Sequence, residues 1–213
     1  VKRSDNEIVN FLMSLDPPRI IIPDCDPEQF EKIISVNSRF LRLSLIEGQL
    51  EIMPPLPVHI KFGAGECEII GQIACWRNDN KNFVGITSAS QGAFRLLKLE
   101  DPNYPNKRTV LSPDSKKILF PPVAPNSIIE LRSKYDSVQL LHEKMLKWVK
   151  AGVDEAISID FNIDQSEVRI YSFDPDANKV VWNPKKDSVE VKSRVLEGLV
   201  LNMQEIKSSI YLY

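Results

Sequence analysis

Three side chains in the second half of the chain are of the types needed to cut a phosphodiester bond. They are Asp114, Glu130 and Lys144. Such cleavage needs carboxylates that hold a divalent metal and a cation that balances the developing charge, while the metal polarises a phosphoryl oxygen and lowers the pKa of water. Magnesium takes one or two carboxylates plus waters and substrate oxygens. The order acid, acid, lysine therefore defines a candidate site.

Each of these residues also has an ordinary structural explanation. Asp114 follows a proline in a polar stretch, which is typical of a turn. Glu130 ends an apolar run, where a strand would carry it to the rim of a sheet, although charged residues at strand ends are common on surfaces. Lys144 lies about a quarter-turn from the apolar stripe of a predicted helix, and a lysine in this position is usually solvated. The residue types and their spacing in the sequence therefore suggest a site but do not establish it.

The elements that would position these residues follow from the hydrophobic periodicity. A helix is expected from Asp136 or Ser137 to Gly152, and another from His59 to Trp76. A short helix begins at Asp26, where Pro27 suits the first helical position. Strands are expected in an early hairpin and in the rest of the chain, at 41–45, 50–53, 83–88, 93–99, 118–120, 128–131, 156–160, 168–173 and 180–182. This order predicts an α/β (α+β) fold, a mixed sheet packed by helices.

The composition indicates one globular domain. The chain has 213 residues, of which 43% are hydrophobic and 26% charged, enough for one sizeable core. We expect an N-terminal arm at 1–25, a domain at 26–207 and a C-terminal tail at 208–213. Three cysteines match no zinc or redox spacing, so we expect free buried thiols in a reducing compartment. No apolar run reaches eighteen residues and no signal peptide is evident, so an intracellular protein, cytoplasmic or nuclear, not secreted and without a membrane span, is expected.

The net charge of the chain is relevant to whether it binds nucleic acid. A formal charge of −2 counts against a protein that lives wrapped on nucleic acid. It does not exclude an enzyme that gathers lysines at one cleft and acidic metal ligands beside them.

Several strings in this order resemble the Uma2 family, also called DUF820, a group of restriction-endonuclease-like proteins of the PD-(D/E)xK type. The likeness runs from about Glu28 to Ile206. The strings that carry it are Leu45 to Pro54, Pro57-Val58-His59, Ser88 to Leu96, Ser112-Pro113-Asp114, Ala124 to Glu130, and Lys144 to Glu155 with its Ala-Gly-Val-Asp-Glu ending. Each string alone is weak, whereas their order and spacing together are fairly specific.

The resemblance implies a restriction-endonuclease-like fold, a mixed β-sheet flanked by helices, and a Mg²⁺- or Mn²⁺-dependent endonuclease whose substrate is DNA. It implies that Asp114 and Glu130 hold the metal. Lys144 then takes the place of the lysine that relatives carry in an E-x-K triplet, which here reads Glu130-Leu131-Arg132. The sequence leaves a homodimer open.

The chain also departs from the family pattern. Ser44 stands where many members have a glutamate, so Glu51 or Glu47 is the candidate replacement, and Asn126 replaces the usual aspartate before Glu130. These departures favour an alternative, a catalytically degenerate nuclease fold that serves as a nucleic-acid- or protein-binding or regulatory module.

Glu66 is a further assisting candidate, because it projects onto the apolar face of its helix, where an unpaired carboxylate needs a partner or a metal. We favour the simpler interpretation, in which Gly63 and Gly65 disturb the helix start and leave Glu66 exposed. His59 and His142 are interpreted as structural or surface groups.

Overall fold

The computed structural model describes residues 2–16, 18–36, 41–46, 48–54, 60–82, 87, 94–95, 110–111, 124–132, 136–161 and 166–211. The chain divides into two compact units. The first unit comprises 1–56 and 88–124, and the second comprises 57–87 and 125–213. Helices and strands together confirm the predicted α+β class.

The first unit is built on an antiparallel sheet. Its strands are β1 (Ile20–Ile22), β2 (Arg42–Ile46), β3 (Gln49–Met53), β4 (Phe94–Arg95) and β5 (Val110–Leu111), in the order β1-β3-β2-β5-β4, and its helices are α1 (Lys2–Met13) and α2 (Pro27–Val36). The predicted hairpin is β2–β3, with Gly48 at φ 76° in its turn, a backbone angle that glycine adopts without strain. The N-terminal arm contributes β1, which pairs with β3.

Helix α2 begins as the sequence predicts. The Asp26 carboxylate accepts a hydrogen bond from Gln29 N at 2.8 Å, and Gln29 Oε1 accepts one from Asp26 N at 3.0 Å. This reciprocal arrangement is a capping box, which satisfies backbone donors that the first helical turn leaves unpaired. Phe30 on α2 then packs with Cys25, Leu43 and other apolar residues to form the core of this unit.

The second unit holds a four-stranded mixed sheet and a separate two-stranded one. The four-stranded sheet contains β6 (Ser127–Leu131), β7 (Glu155–Asp160), β8 (Glu167–Asp174) and β9 (Lys179–Lys186). The two-stranded sheet pairs β10 (Glu190–Lys192) with β11 (Val200–Asn202). Strands β6 and β7 are parallel and the other pairs are antiparallel. The helices are α3 (Ile60–Asp79), α4 (Val138–Lys150) and α5 (Met203–Tyr211).

The two faces of the four-stranded sheet differ in character. Side chains alternate along a strand, and one set, including Ile129, Leu131 and Ile157, packs in an apolar core with Ile69 of α3 and Ile206 of α5. The other set faces α4 and includes several charged and polar residues. The candidate site is built on this second face.

The three cysteines are free, as predicted, but only Cys25 is buried. Cys67 and Cys75 are exposed on α3, so the expectation of buried thiols is wrong for these two. Among the described residues, no helix combines the length and apolar character needed to cross a membrane.

Candidate functional site

Glu130 occupies the next-to-last position of strand β6. Its neighbours Ile129 and Leu131 pack into the apolar core, so Glu130 projects toward the face that α4 covers. Within the described sheet β6 is an edge strand, with β7 on one side. A carboxylate at this position is therefore half-buried and still reachable from solvent.

Lys144 approaches Glu130 from helix α4. The distance from Lys144 Nζ to Glu130 Oε1 is 2.6 Å, with side-chain exposures of 43% and 28%. Met145, Trp148 and Val149 are buried beneath the helix and fix its rotation, so Lys144 lies on its flank. A Ser137 cap, whose Oγ accepts from Leu140 N, starts the helix, and Gly152 at φ 104° follows its end.

Glu66 adds a second carboxylate beside Glu130. Helix α3 runs from Ile60 through Gly63 and Gly65 without interruption, and Glu66 is half-buried on it. The interpretation that Glu66 is exposed is therefore wrong. Burial, and then the charge of Glu130, raise the pKa of the Glu66 carboxyl. The ion pair of Lys144 and Glu130 thus lies at the edge of the sheet, near enough to the half-buried Glu66 for the charge of Glu130 to act on it.

The hairpin residues lie in the first unit. Ser44 on β2 is directly opposite Glu51 on β3, and both are buried. Glu51 Oε1 accepts from Arg19 Nη1 at 3.1 Å, so its charge has a partner within the same unit. Asp114, Glu47 and His59 lie outside the described residues.

Arg132, the third residue of the Glu130-Leu131-Arg132 triplet, is a buried anchor. Its Nε lies 2.6 Å from Asp160 Oδ2 on β7, and its Nη1 donates to the Asp136 carbonyl oxygen at 2.7 Å. One guanidinium thereby joins the end of β6 to β7 and to the segment that leads into α4. Sequence reasoning noted Arg132 only as a departure from lysine and missed this role, because Asp160 is 28 residues away.

Asn126, the other departure near Glu130, also has a structural role. Its Nδ2 donates to Asp154 Oδ2 at 2.9 Å, and its carbonyl oxygen accepts from the backbone nitrogens of Asp154 and Glu155 at 3.1 Å. These bonds tie the beginning of β6 to the beginning of β7. Asparagine supplies the side-chain donor that an aspartate would lack.

A row of polar side chains continues from Glu130 across the sheet. In the strand register Glu130 pairs with Ser158 on β7, and Ser158 pairs with Arg169 on β8. Arg169 forms an ion pair with Glu167, two residues earlier on the same strand. Neighbouring strands lie about 4.8 Å apart, so this row begins at the candidate site and leads away from it beneath α4.

His142 is a structural group, as the sequence suggested. A hydrogen bond of 3.0 Å joins its Nδ1 to the Tyr171 hydroxyl, and its ring packs edge-on against Trp182 with centroids 4.8 Å apart. Burial, and then the charge of Arg169, lower the pKa of His142, and the charge of Glu143 opposes them. His142 is therefore neutral at pH 7.

Among the described residues, no group of three or more histidine, cysteine or acidic side chains is arranged as a metal site. The pair Glu66 and Glu130 nevertheless suits a hard cation, which binds carboxylate oxygens. Burial and then the charge of Glu130 raise the pKa of Glu66, and a cation held by these carboxylates would offset the repulsion between them.

Comparison with known proteins agrees with the resemblance found in the sequence. The model of the Uma2 family, described as "Putative restriction endonuclease", matches residues 27–204. The chain belongs to the Uma2 family. The matched range includes Glu66, Asp114, Glu130 and Lys144.

One solved structure similar to this Uma2 chain is described as "Crystal structure of a putative nuclease belonging to DUF820 from Anabaena variabilis ATCC 29413". It is 18% identical, with a TM-score of 0.49, and the alignment covers 79% of this chain and 90% of the other. No curated protein matches the sequence.

Proposed function

We propose that this Uma2 protein is a divalent-metal-dependent endonuclease that hydrolyses phosphodiester bonds in DNA. The observation that carries the proposal is the meeting of the Lys144 ammonium with Glu130 at 2.6 Å, beside the half-buried Glu66. Membership of a family of this description supports a nuclease. In the proposal Glu130 and the predicted ligand Asp114 hold Mg²⁺ or Mn²⁺, and Glu66 assists.

The bound cation supplies polarisation of a phosphoryl oxygen and a lowered pKa for an attacking water. The core residues on either side of Glu130 fix its strand, so the fold itself positions this proposed ligand. Lys144 is 43% exposed, so its ammonium can swing from Glu130 toward an incoming phosphate oxygen. A positive charge in this position balances the charge that develops on the phosphate during cleavage.

The test is cleavage of plasmid and single-stranded DNA with Mg²⁺ or Mn²⁺, comparing the natural chain with Glu130→Gln and Lys144→Met. We expect cleavage that EDTA abolishes and that each variant lowers by roughly 10²-fold or more. Glu143→Gln and Lys150→Met on the same helix are matched controls, and they should cut normally. A partly exposed ion pair contributes at most about 1 kcal/mol to folding, so a loss of activity would not reflect unfolding.

Two outcomes of the same assay would contradict the proposal. Folded protein that cuts nothing with either metal, or equal cleavage by all variants, would favour the alternative of a degenerate nuclease fold that binds nucleic acid or protein. Asp114→Asn extends the test to the predicted ligand outside the described residues, and it should behave like Glu130→Gln.

A further inference from the structure

Gly65 on α3 packs against two other elements of the second unit and leaves no room for a side chain. A Cβ atom added at this position would lie 2.8 Å from Ile210 Cγ1 on α5 and 2.9 Å from Leu131 Cδ2 on β6. Ordinary contacts of a Cβ atom are 3.4 Å or longer, so roughly half an ångström of movement would be needed to make room. Glycine thus lets α3 lie closer to β6 than a residue with a side chain would.

The two neighbours of Gly65 have little freedom to make that room by themselves. The atoms that an added Cβ would meet belong to side chains, which at a protein surface could turn aside. Leu131 is 8% exposed, however, and both Leu131 and Ile210 pack in the apolar core of this unit. An extra methyl group in a packed core moves side chains and backbone together. A Cβ atom at residue 65 would therefore displace α3, β6 or both.

This contact adjoins both carboxylates of the candidate site. Glu66 follows Gly65 in α3, and Glu130 precedes Leu131 in β6. Successive Cα atoms are only about 3.8 Å apart, so a movement at the contact passes almost undiminished to one carboxylate or the other. The contact between Gly65 and Leu131 thus sets how far Glu66 lies from Glu130.

The two carboxylates approach each other from opposite faces of the sheet. Glu130 projects toward α4, where Lys144 pairs with it, whereas α3 packs on the other face through Ile69. Within the described sheet β6 has a neighbouring strand on one side, so the path from Glu66 to Glu130 runs round its open edge. The depth at which α3 lies against β6 therefore decides whether one cation can contact both carboxylates.

We propose that Gly65 positions the candidate metal site: because it has no side chain, α3 packs against Leu131 at the depth that brings Glu66 to the same cation as Glu130. Gly65 itself touches neither metal nor substrate, so it is a positioning residue that acts through Glu66. A binding site has to hold its groups to within about 0.5 Å, which is the size of the movement that a Cβ atom would cause. This inference rests on the proposed function, in which Glu66 assists Glu130, and adds the residue that sets their separation.

The first test measures metal binding and needs no cleavage. Mn²⁺ is titrated into the full chain, and the free ion is followed by electron paramagnetic resonance. Gly65→Ala should bind Mn²⁺ roughly tenfold more weakly than the natural chain. Gly63→Ala is the matched control, because it makes the same change on α3 where an added Cβ atom meets nothing within 4 Å, and it should bind normally. Circular dichroism and thermal unfolding show that each variant is folded.

A cycle with Glu66→Gln separates positioning from general damage. If Gly65 acts through Glu66, then Gly65→Ala should cause no further loss of Mn²⁺ affinity in a chain that already carries Glu66→Gln. A purely structural glycine would lower the affinity by the same factor in both backgrounds, and that result would overturn the proposal. Unchanged affinity in Gly65→Ala would overturn it as well.

A second background keeps the test decisive if Gly65→Ala does not fold. Ile210→Ala removes the Cγ1 and Cδ1 atoms that an added Cβ atom would meet, while the overlap with Leu131 remains. The same cycle of Gly65→Ala and Glu66→Gln is then measured in Ile210→Ala. The affinity should again fall only while Glu66 is present, and an equal loss without Glu66, or no loss at all, would refute the positioning role.

Cleavage assays distinguish a failure of this inference from a failure of the proposed function. Metal-dependent cleavage with the same dependence on Mn²⁺ concentration in the natural chain and in Gly65→Ala would support the nuclease and refute the positioning role. Mn²⁺ binding that Gly65→Ala weakens only while Glu66 is present, without cleavage by any folded protein, would support the positioning role and refute the nuclease.

Discussion

The buried ion pair between Arg132 and Asp160 gives the sharpest prediction about stability. Its side chains are 9% and 12% exposed, and Arg132 also donates to the Asp136 carbonyl oxygen. Removing one partner leaves a buried charge without compensation, which costs about 3–5 kcal/mol. We therefore expect Asp160→Leu and Arg132→Met each to lower the free energy of unfolding by about this amount. For a chain of this length that corresponds to roughly 6–20 °C in melting temperature.

The double variant Arg132→Met with Asp160→Leu tests whether the cost comes from the uncompensated charge. Replacing both members of a buried pair by apolar residues is often neutral or stabilising. The double variant should therefore recover most of the stability lost in the single variants, with a coupling energy of about 3 kcal/mol or more. Urea unfolding, followed by circular dichroism and tryptophan fluorescence, measures all four proteins.

An exposed pair on α2 provides a matched control. Lys32 Nζ lies 2.7 Å from Glu28 Oε1, and the two side chains are 72% and 78% exposed. The corresponding cycle, Lys32→Met with Glu28→Leu, should give no coupling beyond measurement error, because water screens the two charges. Equal coupling energies for the two cycles would refute the view that Arg132 and Asp160 anchor the fold.

Three further predictions concern titratable groups. The pKa of Glu66 is raised from 4.5, so ionising its carboxyl destabilises the folded chain, and this cost is absent below pH 4.5 and grows as the pH rises. The melting temperature of Glu66→Gln should therefore exceed that of the natural chain at pH 7 but not at pH 4. Mg²⁺ should raise the melting temperature of the natural chain more than that of Glu66→Gln. The pKa of His142 is lowered from 6.5, so the free energy of unfolding should fall as the pH drops below 6.5. Measured from pH 7.5 to 5, it should depend less on pH in His142→Phe than in the natural chain. Identical slopes for the two proteins would refute this prediction. Glu155, buried and hydrogen-bonded by Ser193 and by Arg194 N, should be structural, so Glu155→Gln should cost about 1–3 kcal/mol in urea unfolding without lowering cleavage by the folded protein.

Long periodic segments were predictable from the sequence. The apolar stripe, the Ser137 cap and Gly152 predicted helix α4. Short apolar runs predicted strands β6 to β9. Strands β10 and β11 and helix α5 were not predicted. The two strands have three residues each, too few to show alternation, and α5 is stabilised by its contacts with α3.

The candidate site was predictable in composition more than in geometry. The position of Lys144 on the flank of α4 follows from helical spacing, and Glu130 follows from its place at the end of an apolar run. The burial of Glu66 did not follow, because Gly63 and Gly65 lower the helix propensity at its start. In the structure Gly65 packs so closely that an added Cβ would lie 2.8 Å from Ile210 and 2.9 Å from Leu131, so tertiary packing overrides propensity.

The anchor role of Arg132 gives a physical reason why the candidate ammonium comes from a helix. A planar guanidinium can bond Asp160 and the Asp136 carbonyl oxygen together, which a lysine with its single nitrogen does less well. Arg132, two residues after Glu130, thus has a structural role, because it holds together β6, β7 and the segment that leads into α4. Under the proposed function the positively charged side chain of the site must then come from another element. Lys144 lies on α4, the helix whose approach Arg132 holds in place. Exchanging Arg132 for lysine should therefore loosen the fold without supplying a second catalytic ammonium, so Arg132→Lys would unfold at lower urea and would not rescue cleavage in Lys144→Met.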